Sequence, residues 1–225
     1  MTMMVQTDFE HVACFDVDPQ KCFTPICPDE LPVPEGTQIV NELNAQAAFA
    51  SLRIGSKDAH CRQAIWVADE QHPQFETISG DNVDIRWNLH AVPGTVGFEY
   101  IDGLPTPAEY NYFIWKGIEK DIHPYGACYH DLHNQLSTGV IEFLTMHHIR
   151  VVIIGGLATD YCVKTTVLQL LTAGFVVIVN LAACRGVNQQ TTQTAITEMK
   201  TKGAFIVECS VDIPKLIASM QVKRA

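Results

Sequence analysis

Six runs of strand length stand out along the chain: HVACFDV (11 to 17), SLRIGSKDA (51 to 59), YNYFIWK (110 to 116), RVVIIGG (150 to 156), FVVIVNL (175 to 181) and AFIVECS (204 to 210). Several are apolar nearly throughout rather than alternating, the pattern of strands covered on both faces. Between them apolar residues recur at helical spacing. Ile39, Val40, Leu43 and Ala47 form one set; Leu136, Val140, Phe143 and Leu144 a second; Val167, Leu168 and Leu171, ahead of Gly174, a third; Ala195 and Met199, with a stop at Gly203, a fourth. Strand then helix, repeated, predicts an α/β chain: a three-layer, doubly wound, mostly parallel sheet of six strands with helices on both faces. Residues 61 to 109 break the rhythm, with mixed polarity, the turn signals PGT, DGLP and PTP, and no clear element. A long irregular stretch inside a compact domain is usually functional, so this one is expected to form part of a site.

Length and charge narrow the picture. At 225 residues, 47% hydrophobic and 18% charged, the chain suits one globular domain spanning 1 to 225. A net charge of −10, with only 15 Lys and Arg, excludes a phosphate-binding surface and so nucleic acid as a partner. No apolar run approaches membrane-spanning length, and the opening residues MTMMVQTDFEH lack the basic start and apolar core of a signal peptide. A soluble cytoplasmic protein is expected. The eight cysteines, at 14, 22, 27, 61, 128, 162, 184 and 209, include no CxxC pair, and several fall in strand-like runs, as buried free thiols do.

Ligands of open parallel sheets bind beyond the carboxyl ends of the strands. The polar residues at those ends are Asp16 and Asp18, then Asp58 and His60, then Lys116, then Cys162. Thr159 and Asp160 are good N-cap residues, which places Cys162 in the first turn of a helix, where backbone N–H groups and the macrodipole favour a thiolate and can receive an oxyanion. Lys116, after the apolar FIW, would hold such a thiolate by charge. Asp16 and Asp18 share one strand face, so spacing alone does not choose between them. Asp58 and His60, with His90 further on, offer a carboxylate and two imidazoles: a three-ligand site with open positions, suited to zinc first, or to iron or manganese. Taken singly, each residue also has an ordinary reading, as a buried cysteine, a surface lysine or a turn aspartate.

Together these motifs resemble the nicotinamidase/pyrazinamidase branch of the isochorismatase-like cysteine hydrolases. The family's opening D-x-Q-x-x-F is met by Asp18, Gln20 and Phe23, which selects Asp18 over Asp16, and VPEG (33 to 36) is similar to its VPG. Its D-x-H is met by Asp58 and His60, its W-x-x-H by Trp87 and His90 ahead of PGTVG, its K-G by Lys116 and Gly117, and its nucleophile motif by GLATDYCV (156 to 163). The resemblance implies hydrolysis of nicotinamide, and of pyrazinamide, to the acid and ammonia in NAD salvage. Asp18 would be the proton carrier, Lys116 the support of the thiolate and Cys162 the nucleophile forming a thioester. The N–H groups of Ala158 and Cys162 would form the oxyanion hole, beside a cis peptide between Leu157 and Ala158. Asp58, His60 and His90 would hold one divalent metal, whose open position takes the pyridine nitrogen. The ring would pack between Phe23 and Trp87, with Tyr125 also in the substrate pocket.

The chain departs from the family in three places. Cys22 stands where an aspartate is common, Cys61 rather than proline follows D-x-H, and residues 61 to 86 are long and unlike the usual histidine-containing loop. A fourth protein ligand has no clear counterpart; Asp69, Glu70 or His72, or water, would supply it. Two other readings stay open: a related cysteine amidohydrolase for another small amide or ureido compound, and a non-catalytic metal-binding protein on the same fold. The sequence leaves the oligomeric state open, a homo-oligomer included.

Overall fold

In the computed structural model, which describes residues 9 to 222, the first strand, β1 (Val12–Val17), is buried at every position. Residues 1 to 8, part of the opening stretch in which no signal peptide is expected, lie outside the described residues. Successive side chains of β1 point to opposite faces, so burial at every position requires a layer on each side. Following β1 come α1 (Val40–Ala47), β2 (Leu52–Asp58), a hairpin of β3 (Thr77–Gly80) and β4 (Val83–Ile85), β5 (Tyr112–Lys116), α2 (Val140–Met146) and β6 (Val151–Leu157). The chain continues with α3 (Lys164–Thr172), β7 (Val176–Arg185), α4 (Gln189–Thr201), β8 (Phe205–Val207) and α5 (Ile213–Val222).

All six predicted strands enter one sheet in the order β5-β2-β1-β6-β7-β8, and every pairing is parallel. On one face Ala13, Phe15, Val17, Val152, Ile154, Val177 and Val179 pack against Val140 and Leu144 of α2, Val167 and Leu170 of α3 and Met199 of α4. On the other, Val12, Cys14, Ile153, Ile178 and Val207 meet Ala47 of α1 and Ile213 and Ile217 of α5. The pair Ile213 and Ile217, four apart on one helix face, anchors α5; each fully buried aliphatic side chain contributes about 1.5–3 kcal/mol.

The order places a switch point between β1 and β6. From β1 the chain winds outward through β2 to β5, then returns to β6 on the other side of β1 and winds outward again. At such a point the loops leaving two neighbouring strands part and open a crevice. Asp18 leaves β1 and Cys162 leaves β6, so they flank it.

Two expectations need correction. Leu136 is exposed and precedes its helix, because Gly139, at φ +85°, turns the chain into α2 only at Val140. A Cβ at Gly139 would lie 2.3 Å from the Tyr112 hydroxyl, so glycine is required there. The stretch 61 to 109 is also less irregular than it reads, since β3 and β4 form an antiparallel hairpin within it. All eight cysteines are free thiols. Among the described residues, no helix is long and apolar enough to cross a membrane.

Candidate active site

Asp18 follows β1 directly, in the left-handed region at φ 44°, an uncommon conformation that aspartate tolerates better than most residues. Its carboxylate is locked from β2: the Ser56 hydroxyl donates to Asp18 Oδ1 at 2.7 Å, and Asp18 N approaches the same hydroxyl at 3.2 Å. Gln20 ties the ends of β1 and β2 together. Its side chain accepts from Asp58 N at 2.7 Å and donates to Asp58 O at 2.9 Å, which fixes the backbone from which the Asp58 carboxylate projects.

Lys116 ends β5 fully buried, and its ammonium is the hub of the site. It lies 3.1 Å from Asp18 Oδ2, donates to Asp58 Oδ1, and lies 3.3 Å from the Pro124 carbonyl and 3.7 Å from Cys162 Sγ. Cys162 Sγ is 4.0 Å from Asp58 Oδ2, and one oxygen of each carboxylate together with the sulfur lie within 4.8 Å of one another. Asp18 Oδ2 has the Lys116 ammonium beside it but no well-aligned hydrogen-bond donor, which leaves a lone pair free for a proton.

These contacts set the protonation states. Burial raises Asp18 to about 6, against the pull of Lys116 and with the push of Asp58. Burial would raise Asp58 too, but Lys116, His60 and His90 overcome it and hold that carboxyl far below the usual range. The Lys116 ammonium is disfavoured by burial, yet Asp18 and Asp58 more than offset this and keep it charged. Burial drives the Cys162 thiol well above its ordinary value; Lys116 lowers it, while Asp58 and Asp18 raise it further. The expectation that a helix start would favour the thiolate is therefore not met: the resting sulfur carries its proton and stands beside a carboxylate able to take it.

The local backbone differs from expectation as well. Residues Thr159–Val163 form a turn of π-helix ahead of α3, with Ala158 at its N-cap and no side-chain cap. Tyr161 N and Val163 N both donate to Ala158 O. Instead of capping this turn, Asp160 reaches across to the approach to α4, accepting from Val187 N, Asn188 N and the Thr191 hydroxyl. The peptide between Leu157 and Ala158 is cis, as the resemblance implies.

A second cluster adjoins the first. His60, His90 and His123 bring three ring nitrogens within 4.8 Å of one another, all three residues buried, and His60 Nε2 lies 3.7 Å from Asp58 Oδ1. His60 Nδ1 donates to the Gly117 carbonyl at 3.0 Å and His90 Nδ1 to the Asn88 carbonyl at 2.7 Å. Since a carbonyl only accepts, each ring carries a proton on Nδ1 and leaves Nε2 to find a partner elsewhere. Gly117, at φ +81°, permits the first contact: a Cβ there would stand 2.6 Å from the His60 ring. Among the described residues, His60 Nε2 and both nitrogens of His123 have no hydrogen-bond partner. Burial first, then His60, lowers His90 to about 3, and burial holds His123 well below its ordinary value.

Buried imidazoles with unpartnered nitrogens are the donor set of a divalent metal. Charge supports the same fit. Asp18, Asp58 and Lys116 together carry one excess negative charge in a dry site, and a buried uncompensated charge costs several kcal/mol; a cation among the histidines would offset it.

His123 was missed by the sequence reading, and the residues named for its place stand elsewhere. Asp69, Glu70 and His72 are exposed; Asp69 accepts from the backbone of Gln71 and His72, and His72 pairs with Glu76. The signal that could have found His123 was its place in the loop leaving β5, seven positions after Lys116.

Above both clusters lies a cleft lined by Phe23, Trp87, Tyr125 and Tyr161 together with His90, His123, Ala158 and Cys162. Phe23, Trp87 and Tyr125 thus stand where the sequence placed them, and Tyr161 is an addition, its ring edge-on to Trp87 at 4.8 Å. Such walls favour a flat aromatic ligand. With the Cys162 sulfur in its lining, and a carboxylate of raised pKa and a fixed ammonium packed beside that sulfur, the cleft is equipped for acyl transfer.

A family model for the isochorismatase domain matches residues 13–210. The chain belongs to the isochorismatase domain family. Among curated members, the nicotinamidase of Escherichia coli K12 is 30% identical over 199 residues, covering 78% of this chain and 85% of its own. Among solved structures, an Acinetobacter baumanii nicotinamidase/pyrazinamidase superposes with a TM-score of 0.83 at 28% identity, over 91% of this chain and 98% of that one. The pyrazinamidase of Pyrococcus horikoshii, solved in complex with zinc, superposes with a TM-score of 0.69 at 28% identity, over 88% and 98%. Relatives of this kind make the chain an amidohydrolase of the isochorismatase family.

Proposed function

We propose that the chain is a nicotinamidase, hydrolysing nicotinamide to nicotinate and ammonia through a thioester on Cys162. One observation carries the reading: a buried thiol that lines a cleft walled by aromatic rings and imidazoles stands beside a carboxylate of raised pKa and a buried ammonium. An amide is a weak electrophile with a poor leaving group, so it needs a nucleophile, a proton carrier and an oxyanion site together.

In the proposed sequence Asp18 takes the Cys162 proton as the sulfur attacks the carboxamide carbon. The charge passes to the carbonyl oxygen, which the N–H groups of Ala158 and Cys162 receive; each such donor is worth about 3 kcal/mol. Asp18 returns the proton to the nitrogen, the C–N bond breaks and ammonia leaves. Water then attacks the thioester, giving up its proton to Asp18, and the C–S bond breaks to release nicotinate and restore the thiol. Lys116, 3.7 Å from the sulfur, stabilises it whenever it is anionic and holds Asp18 in place. Phe23 and Trp87 flank the ring. A zinc or similar divalent ion on His60, His90 and His123, with Asp58 adjoining, would supply a Lewis-acidic position for the ring nitrogen. Pyrazinamide keeps both the carboxamide and a ring nitrogen and is expected to be a second substrate. In this reading the reaction serves pyridine nucleotide salvage in the cytoplasm, the role that the resemblance implies.

Ammonia release from nicotinamide, pyrazinamide and an aliphatic amide, measured on protein of known metal content, tests the proposal. Activity on the aliphatic amide alone would replace it with a different amidohydrolase. Two further outcomes are expected. A strong chelator should raise the KM for nicotinamide by about tenfold or more, the loss of one good ligand contact; unchanged kinetics in protein shown to be metal-free would remove the metal from this account. Asp18 must be ionised to accept the thiol proton, so kcat/KM should fall with unit slope as the pH drops below about 6, the value to which burial raises it. A flat profile down to pH 5 would exclude Asp18 as the base.

A further inference from the structure

Tyr125 and Trp87, two walls of the cleft, are joined to each other and to the β3–β4 hairpin. Trp87 Nε1 donates to the Tyr125 hydroxyl at 3.2 Å, and that hydroxyl donates to Asp84 Oδ1 at 2.7 Å. Asp84 is the middle residue of β4, exposed to solvent, and it lies outside every motif matched above. The hairpin grips the same loop a second time: His123 N donates to Asn82 O at 2.8 Å, and Asn82 bridges to Ile122. Residues 82 to 84 thus hold the segment that carries both His123 and Tyr125, and they come from the stretch in which this chain departs from its family's pattern.

We propose that Asp84 is a positioning residue for substrate binding. By fixing the Tyr125 hydroxyl it fixes the partner of the Trp87 indole and so sets the position of one of the two aromatic walls that flank the substrate ring. The hydroxyl can donate only one hydrogen. Bound to Asp84, it must turn a lone pair toward Trp87 Nε1, and this orders the three groups as a relay, indole to phenol to carboxylate. Hydrogen bonds to a charged acceptor are short and strong, and here the acceptor stands on a paired β-strand rather than a free loop. The cysteine, its proton carrier and the ammonium are not touched by this relay. Its loss should therefore weaken substrate binding and leave the chemical step alone.

The inference rests on the nicotinamide reading for its substrate, and the test separates the two. Steady-state ammonia release is measured on the metal-loaded enzyme and on Asp84→Ala, Asp84→Asn, Tyr125→Phe and the Asp84→Ala/Tyr125→Phe double variant. Asp84→Ala should raise KM about tenfold, the loss of one charge-assisted hydrogen bond, with kcat within about twofold. Asp84→Asn, whose amide oxygen accepts the same hydrogen bond, should restore most of that loss. The double variant should be no worse than Tyr125→Phe alone, because both changes break one chain of contacts. An unaltered KM in Asp84→Ala, a loss confined to kcat, or losses that multiply in the double variant would each overturn the proposal. If the parent enzyme does not hydrolyse nicotinamide, near-UV circular dichroism of the same proteins decides it, with Trp87→Phe marking the Trp87 band. Asp84→Ala and Tyr125→Phe should perturb that band alike and Asp84→Asn should not; an unperturbed band in Asp84→Ala overturns the relay.

Discussion

With alanine at position 162, ammonia release from nicotinamide is expected to fall by at least about 10^4-fold, the scale on which removal of a covalent nucleophile acts. Stability should change little. The side chain is small, and what it loses in packing is partly offset by removing a thiol that sits near two carboxylates, 4.0 Å from one of them. Chemical denaturation should place the variant within about 1 kcal/mol of the parent, the ordinary range for a small deletion. Serine at the same position separates two explanations of residual activity. A hydroxyl is a far weaker nucleophile when its base is a carboxylate, so Cys162→Ser should be nearly as inactive as the alanine variant. Full activity in a folded Cys162→Ala protein would end the cysteine mechanism.

The second large effect is expected at Lys116. Replacing it by methionine keeps most of the volume but removes the cation between Asp18 and Asp58, which then face each other in a site closed to water. Breaking a buried ion pair from one side costs about 3–5 kcal/mol, because the other charge is left uncompensated. The deficit should depend on pH in a defined direction. In the parent, Asp58 is held below its unfolded value, so its contribution is present at neutral pH and lost on acidification. In the variant Asp18, already above its unfolded value, rises further, and Asp58 loses the largest of the charges that hold it down. Their penalty is then greatest at neutral pH and disappears as they take up protons, so the stability gap narrows from pH 7 to pH 5. Activity should also drop, by about 10^2–10^3-fold, as for removal of one group that stabilises developing charge. Denaturation curves at the two pH values test the first claim, and ammonia release tests the second. A gap that stays constant would mean that the two carboxylates do not share this lysine.

The sheet was legible because burial on both faces makes a strand apolar at nearly every position, as in Val12–Val17 and Val151–Leu157. Among the described residues, four of the five α-helices declared themselves by spacing. The helix α5 did not, since Pro214 interrupts an apolar run, although a proline in the first turn costs nothing. The hairpin escaped because β3 is mostly exposed and β4 has three residues, too few to show a period. At the site, the residues at strand ends could be found by rule, but their electrical states could not. The dipole of one helical turn is a local property readable at Thr159 and Asp160, whereas the raised Cys162 thiol depends first on burial by the whole fold and then on Asp58 and Asp18, brought in by other strands. His123 was obscure for a similar reason. A histidine in a loop acquires meaning only from the two imidazoles that the fold sets beside it.

The ammonium of Lys116 touches a carboxylate 58 residues earlier and a sulfur 46 residues later. Such contacts close only when β5, β2, β1 and β6 are all in register. No fragment of the chain, and no intermediate lacking one of those strands, can hold the three reacting groups together. Pairing of distant parallel strands is slow relative to local helix formation. During refolding, helical ellipticity should therefore return before catalysis does, and the regain of ammonia release would time the completion of the sheet's centre rather than the growth of either half.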